Sequence, residues 1–178
     1  LQPIVLERGD DVDERTRKVG EFWRERKLDT ESNVQFGEGG AGTFSDGKLT
    51  TGIKDPRCRE VFIQFAKFGA PGEILYSATP HIGTDKLKTV VKNLRKEIIR
   101  LGGEVHFCTK LSGLIIVNGA LHGVTVTKKD GKTFDIEADA LILSIGHSSR
   151  DTFEMLYKSG FEITQKPFSV GTRIEHTQ

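Results

Sequence analysis

Two turn dipeptides, Asn118-Gly119 and Asp130-Gly131, divide the stretch from 111 to 137 into three short strand-like pieces. Asn-Gly suits a two-residue turn with positive φ at both positions, the strongest short-range hairpin signal. Residues 111–117, 121–127 and 133–136 are therefore expected to form an antiparallel meander. The pattern differs on either side of it. Glu104 to Cys108 alternates polar with apolar, whereas Ile4-Val5-Leu6 and Ala140-Leu141-Ile142-Leu143 are continuous apolar runs. Such runs mark strands covered on both faces, as in parallel sheets. The expectation is an α/β fold: one mainly parallel sheet holding Ile4–Leu6, Val105–Phe107 and Leu141–Ile145, with a three-stranded antiparallel meander inserted.

Helical spacing fills the intervals. Residues 11 to 27 are densely charged, with Val12, Val19, Phe22 and Trp23 as large apolar members, and predict an exposed amphipathic helix interrupted at most by Gly20. Cys58, Val61, Phe62, Phe65 and Phe68 predict a second helix, broken by Ala70-Pro71-Gly72. A third carries Leu87, Val90, Val91, Leu94, Ile98 and Leu101 on one face, with Thr84 or Asp85 as cap and Gly102-Gly103 as stop. A short last helix is expected from Asp151 to Ser159, capped by Ser149 and ended by Gly160.

Composition narrows the function classes. Lys plus Arg (26) nearly balance Asp plus Glu (25) in 178 residues, so charge gives no reason to expect nucleic acid or a membrane surface as partner. No apolar run approaches the roughly 18 residues of a membrane span. Cys58 and Cys108 are isolated thiols, which fits a reducing, cytoplasmic setting. The scattered histidines lack metal-ligand spacing, so no metal is expected. The chain opens on Leu1 and closes at Gln178 in a manner that suggests a piece of something larger.

Between Ser32 and Lys54 lies a long polar stretch with glycines at 37, 39, 40, 42 and 47. Long ordered loops are usually functional, and glycines let backbone N–H groups approach a ligand closely. Gly37 to Gly42 formally matches G-x-G-x-x-G, but no buried strand precedes it and Thr43-Phe44-Ser45-Asp46-Gly47 continues as loop. Gly42 to Lys48 matches G-x-x-x-x-G-K, but Leu49 stands where a Mg²⁺-binding Ser or Thr belongs, leaving a phosphate-binding NTPase as a weak alternative. His147, Ser148 and Asp151 sit close in sequence without the G-x-S-x-G elbow of a hydrolase, and His81 reads as a structural residue beside a helix start.

Glu7 ends the first apolar run. An acid at the carboxyl end of a buried strand can accept hydrogen bonds from both ribose hydroxyls of a dinucleotide; the plainer reading is a surface glutamate. Leu111 could read a base through its backbone or simply pack in its strand. Gly146 closes the run 140–145, at the sheet edge where ligands approach.

Taken together, Pro3 to Gly9, Gly37 to Leu49, His81 to Leu87, Gly102 to Leu111 and Ala138 to Thr152 resemble the FAD-dependent dehydrogenases of the glutathione-reductase-type flavoprotein superfamily. More narrowly, they look like a bacterial and archaeal branch known only by that general activity. The resemblance implies a partial FAD/NAD(P)-binding Rossmann-like domain over 1–165, with a helical excursion at about 54–84 and the start of a substrate domain at 166–178. It implies that Glu7 holds the adenosine ribose, that Arg8 lies along the adenosine half, and that Gly39, Gly40, Gly42 and Thr43 approach pyrophosphate and flavin. Leu111 would contact adenine and Gly146 would pass close to the cofactor. It further implies FAD as cofactor, NAD(P)H as a candidate electron donor and a small-molecule substrate. The glycine fingerprint would precede Leu1, so this piece alone is expected to be inactive and to hold FAD weakly. The competing expectation is a folded, non-catalytic piece with an incomplete nucleotide site.

Overall fold

The computed structural model describes residues 2–44, 48–49, 51, 53–167, 171–172 and 174. Ser45, Asp46 and Gly47 of the glycine loop, and much of the expected substrate-domain start, lie outside the described residues. Strand β1 (Ile4–Leu6) leads into helix α1 (Val12–Glu25), followed by the glycine loop with a 3-10 turn at Ala41–Phe44. Helices α2 (Arg57–Lys67) and α3 (Thr84–Arg100) come next, then strands β2 (Glu104–His106), β3 (Thr109–Val117), β4 (Ala120–Lys128) and β5 (Thr133–Glu137), and helix α4 (Arg150–Lys158). The protein is mixed α/β.

β1 and β2 pair in parallel, Ile4 opposite Glu104 and Leu6 opposite His106. β3, β4 and β5 form the antiparallel meander, in that order. Its first hairpin turns on Asn118 (φ 51°) and Gly119 (φ 80°), the double positive-φ turn whose twist matches antiparallel strands. The second turns through Gly131 at φ 84°.

α1 runs unbroken through Gly20, started by Asp11, whose carboxylate accepts the N–H groups of Asp13 and Glu14. Gly83, rather than Thr84 or Asp85, stands at the cap position of α3, and no side chain caps the helix. Its Leu87 and Val90 join Ala70, Ile74 and Ile82 in a core that Phe62, Phe65 and Phe68 cover from the α2 side. The expected periodicity is present there, although Leu101 at the helix end is 62% exposed.

The apolar runs depart from expectation. Residues 140–145 form no strand, and Ile142 is 89% exposed. The expected single parallel sheet is thus a two-stranded pair, and Leu141–Ile145 does not belong to it. A run of this kind is buried only when a ladder pairs both its edges and layers cover both its faces. Among the described residues no strand pairs with it. β1 shows the same deficit in part, with Ile4 and Val5 about two-fifths exposed and, among the described residues, β2 as its one paired strand.

Candidate functional site

The parallel pair ends at Glu7. Its N–H donates to the His106 carbonyl at 2.9 Å, and its carbonyl accepts from the Thr109 N–H at 3.0 Å. Glu7 therefore sits where β1, β2 and the start of the meander converge. Its Oε1 accepts two backbone N–H groups, Gly9 at 2.8 Å and Gly37 at 3.0 Å. No hydrogen bond reaches Oε2 from the described residues. Gly9 and Gly37 touch so closely that a Cβ on Gly9 would lie 2.6 Å from Gly37 Cα. The strand end and the glycine loop are thus joined by one half of a carboxylate.

Behind the loop lies Arg15 of α1, with no exposed surface. Its Nε donates to the Asn33 carbonyl at 2.8 Å, and one terminal nitrogen donates to Gly37 at 3.1 Å and Glu38 at 2.7 Å. The guanidinium also lies 4.8 Å from the Phe44 ring centroid. Burial pulls it down to about 10, which leaves it charged at neutral pH, and Glu7 and Glu38 favour that charge. Its other terminal nitrogen, Nη2, is buried without a partner. Sequence reading passed over Arg15 because a charged residue on a charged helix reads as solvated. The signal was its spacing: Val12, Arg15 and Val19 fall at i, i+3 and i+7 and are the three buried residues of α1.

Glu38 is the second residue missed. Its Oε2 accepts the Val12 N–H at 2.8 Å, closing the start of α1, while Oε1 pairs with Arg95 of α3 at 3.1 Å. Burial raises this carboxyl above the usual range, against the opposing pull of the Val12 N–H and Arg95. Thr43 is fully buried and its hydroxyl donates to the Glu38 carbonyl at 3.2 Å. Gly39 (φ 82°) rises over it, and a Cβ there would collide with Thr43 Oγ1. Gly39 and Ala41 are exposed, and Gly40 (φ 62°) has open space where a Cβ would stand.

Arg8 is held in an ion-pair network rather than left open. Its Nε lies 3.2 Å from Glu31 and its Nη2 2.5 Å from Asp151, while Lys110 reaches the same two carboxylates at 3.4 and 3.2 Å. The guanidinium also covers Phe36 at 4.5 Å. Burial would raise Asp151, but hydrogen bonds from Arg8 and Lys110 outweigh it and hold the carboxyl near about 2. A neighbouring knot joins Asp10, Lys18, Asp29 and Lys129, with the Cys108 thiol donating to Asp10 at 3.2 Å. Burial and that carboxylate push Cys108 up to about 11.

Of the residues expected from sequence, Glu7, Gly39 and Thr43 converge on the loop. Leu111 lies two residues beyond Thr109, whose N–H leaves the meander toward Glu7, so strand alternation puts the Leu111 N–H on the same edge. Gly146 (φ 68°) has open space where a Cβ would stand. Ser149 occupies the cap position of α4 but caps nothing; its hydroxyl donates to the Ile145 carbonyl at 2.7 Å. A charged cleft of about 420 Å³ on the α1 flank, lined by Arg17, Lys18, Glu21 and Thr30 among others, shares none of the loop residues. Lys48 pairs with His81 in a single bridge, and no strand leads into Gly42, so the NTPase arrangement is not formed by the described residues. No described group of His, Cys, Asp and Glu could hold a metal ion, and no described helix is long and apolar enough to cross a membrane.

No family model matches the chain. It is 55% identical over 177 residues, 99% of its length, to a Clostridium beijerinckii protein that bears only the name "Uncharacterized protein", of which it spans 32%. The fold is similar to the crystal structure of THI4 from Thermovibrio ammonificans, with a TM-score of 0.50 over 90% of this chain and 63% of that one. At 11% identity this likeness concerns the fold alone.

Proposed function

We propose that these residues form the FAD-binding part of a flavin-dependent oxidoreductase that acts by hydride transfer. The observation that carries the reading is the divided Glu7 carboxylate. One oxygen fixes the glycine loop against the end of a parallel strand, and the other has no partner among the described residues. A pair of ribose hydroxyls needs such an acceptor at the carboxyl end of a parallel strand. The exposed residues Gly39 and Ala41 lie on the loop that Glu7 holds. Gly39, Gly40, Gly42 and Thr43 would border the pyrophosphate, and the outer edge of β3 at Leu111 would border adenine. When bound, FAD supplies the hydride and electron transfer; the chain's own residues bind and orient it. A small organic molecule is the substrate class, with NAD(P)H a candidate donor.

The test is an FAD titration of the full-length polypeptide carrying this sequence, followed by flavin fluorescence. Glu7→Ala should weaken FAD by about 1.5–3 kcal/mol, the worth of a charge-assisted contact, or roughly 10- to 150-fold in Kd. Glu7→Gln keeps an acceptor for Gly9 and Gly37 and should lose about tenfold. A wild-type protein that binds no flavin, or variants with unchanged Kd, contradict the assignment.

A further inference from the structure

We infer that Arg15 is a positioning residue that turns the N–H groups of Gly39 and Ala41 outward as a docking site for phosphate oxygens; this rests on the nucleotide reading above. The argument is peptide geometry. A trans peptide points its C=O and its following N–H in opposite directions. Arg15 and Thr43 both hold the Glu38 carbonyl inward, at 2.7 and 3.2 Å, so the Gly39 N–H is directed to the other side, where the chain is exposed. The Gly40 carbonyl accepts the Thr43 N–H at 3.3 Å and so faces into the 3-10 turn, which points the Ala41 N–H the opposite way, at an exposed residue. Neighbouring donors are already used: Gly37 N–H on Glu7, Glu38 N–H on Asp10, Gly40 N–H on Gly37. Among the described residues, the Gly39 and Ala41 N–H groups have no protein acceptor.

The other features agree. A loop carbonyl turned outward would repel an anion, and Arg15 draws in those of Asn33, Gly37 and Glu38. Its charge is buried behind the loop, on the side from which it favours a negative ligand. Positive φ at Gly39 and Gly40 lets successive peptides adopt this arrangement, which side chains would resist. Lysine cannot replace this fork, because one ammonium lacks the planar set of donors that spans three carbonyls.

The experiment compares ADP, adenosine and FAD binding to the full-length polypeptide by calorimetry, in wild type, Arg15→Lys and Thr43→Val. Arg15→Lys should raise Kd for ADP and FAD by about tenfold, the effect of losing a charge-assisted contact, and leave adenosine unchanged. Thr43→Val removes one of the two holds on the Glu38 carbonyl and should act in the same direction, more weakly, with the fold intact. Equal losses for ADP and adenosine would show mere loosening and overturn the proposal, as would unchanged ADP binding or a wild type that binds ADP no tighter than adenosine. ADP binding with this dependence but no FAD binding would uphold Arg15 and remove the flavin reading.

Discussion

The corner where β1 meets the glycine loop and the stretch from 138 to 146 reverse the usual expectation for polar and apolar sequence. The first is polar and glycine-rich, yet Gly9, Arg15, Gly37, Glu38 and Thr43 are buried and cross-bonded. The second contains Leu141-Ile142-Leu143, yet Ile142 is 89% exposed and no strand forms. A loop can satisfy its own backbone when a buried guanidinium and a carboxylate stand beside it. An apolar run cannot bury itself, because its burial depends on strands and layers that other segments supply. Local self-sufficiency, rather than hydrophobicity, separates the two regions.

Glycine substitution should break this contrast most severely. Gly37→Ala places a Cβ against the Arg15 stem at φ 118° and should cost about 3 kcal/mol or more, combining backbone strain with overpacking. Gly146→Ala, at φ 68° with open space around it, should cost only about 1–2 kcal/mol from the left-handed conformation itself. Urea denaturation of the full-length polypeptide measures both. Similar costs at the two positions would erase the distinction between a locked corner and an open stretch.

A smaller effect should come from the Arg8, Glu31, Lys110 and Asp151 network, which ties the start of α4 to the locked corner. Asp151 is held near about 2 against an ordinary 3.8, so its contribution is present above about pH 4 and is lost as pH falls toward 2. The Asp151 side chain is half exposed, so solvent screening limits the worth to about 1 kcal/mol or less. The Tm difference between wild type and Asp151→Asn should therefore be largest above pH 4 and shrink below it. A difference that grows on acidification would show that Asp151 is not held charged by Arg8 and Lys110.

Much of the scaffold was legible because its signals are local. Asn118-Gly119 sets its own turn, and the Leu87–Val90 face of α3 keeps helical period within a single element. Within the candidate site, residue type and position single out Glu7 and the glycines, and their cofactor role belongs to the proposal. Arg15 and Glu38 were not legible, since their roles depend on bonds reaching 18 to 26 residues along the chain and on Arg95 of α3. The strand expected at 141–145 failed for the complementary reason: its pattern describes a place in a wider sheet, and the segment does not create that sheet by itself.

The most direct measurement is a crystal structure of the full-length polypeptide soaked or grown with FAD. The account predicts the adenosine ribose within hydrogen-bond distance of Glu7 Oε2, phosphate oxygens on the Gly39 and Ala41 N–H groups, and Arg15 still bound to the carbonyls of Asn33, Gly37 and Glu38. FAD bound elsewhere, or a saturating concentration that leaves Glu7 Oε2 and the Gly39 N–H without ligand contacts, would contradict it.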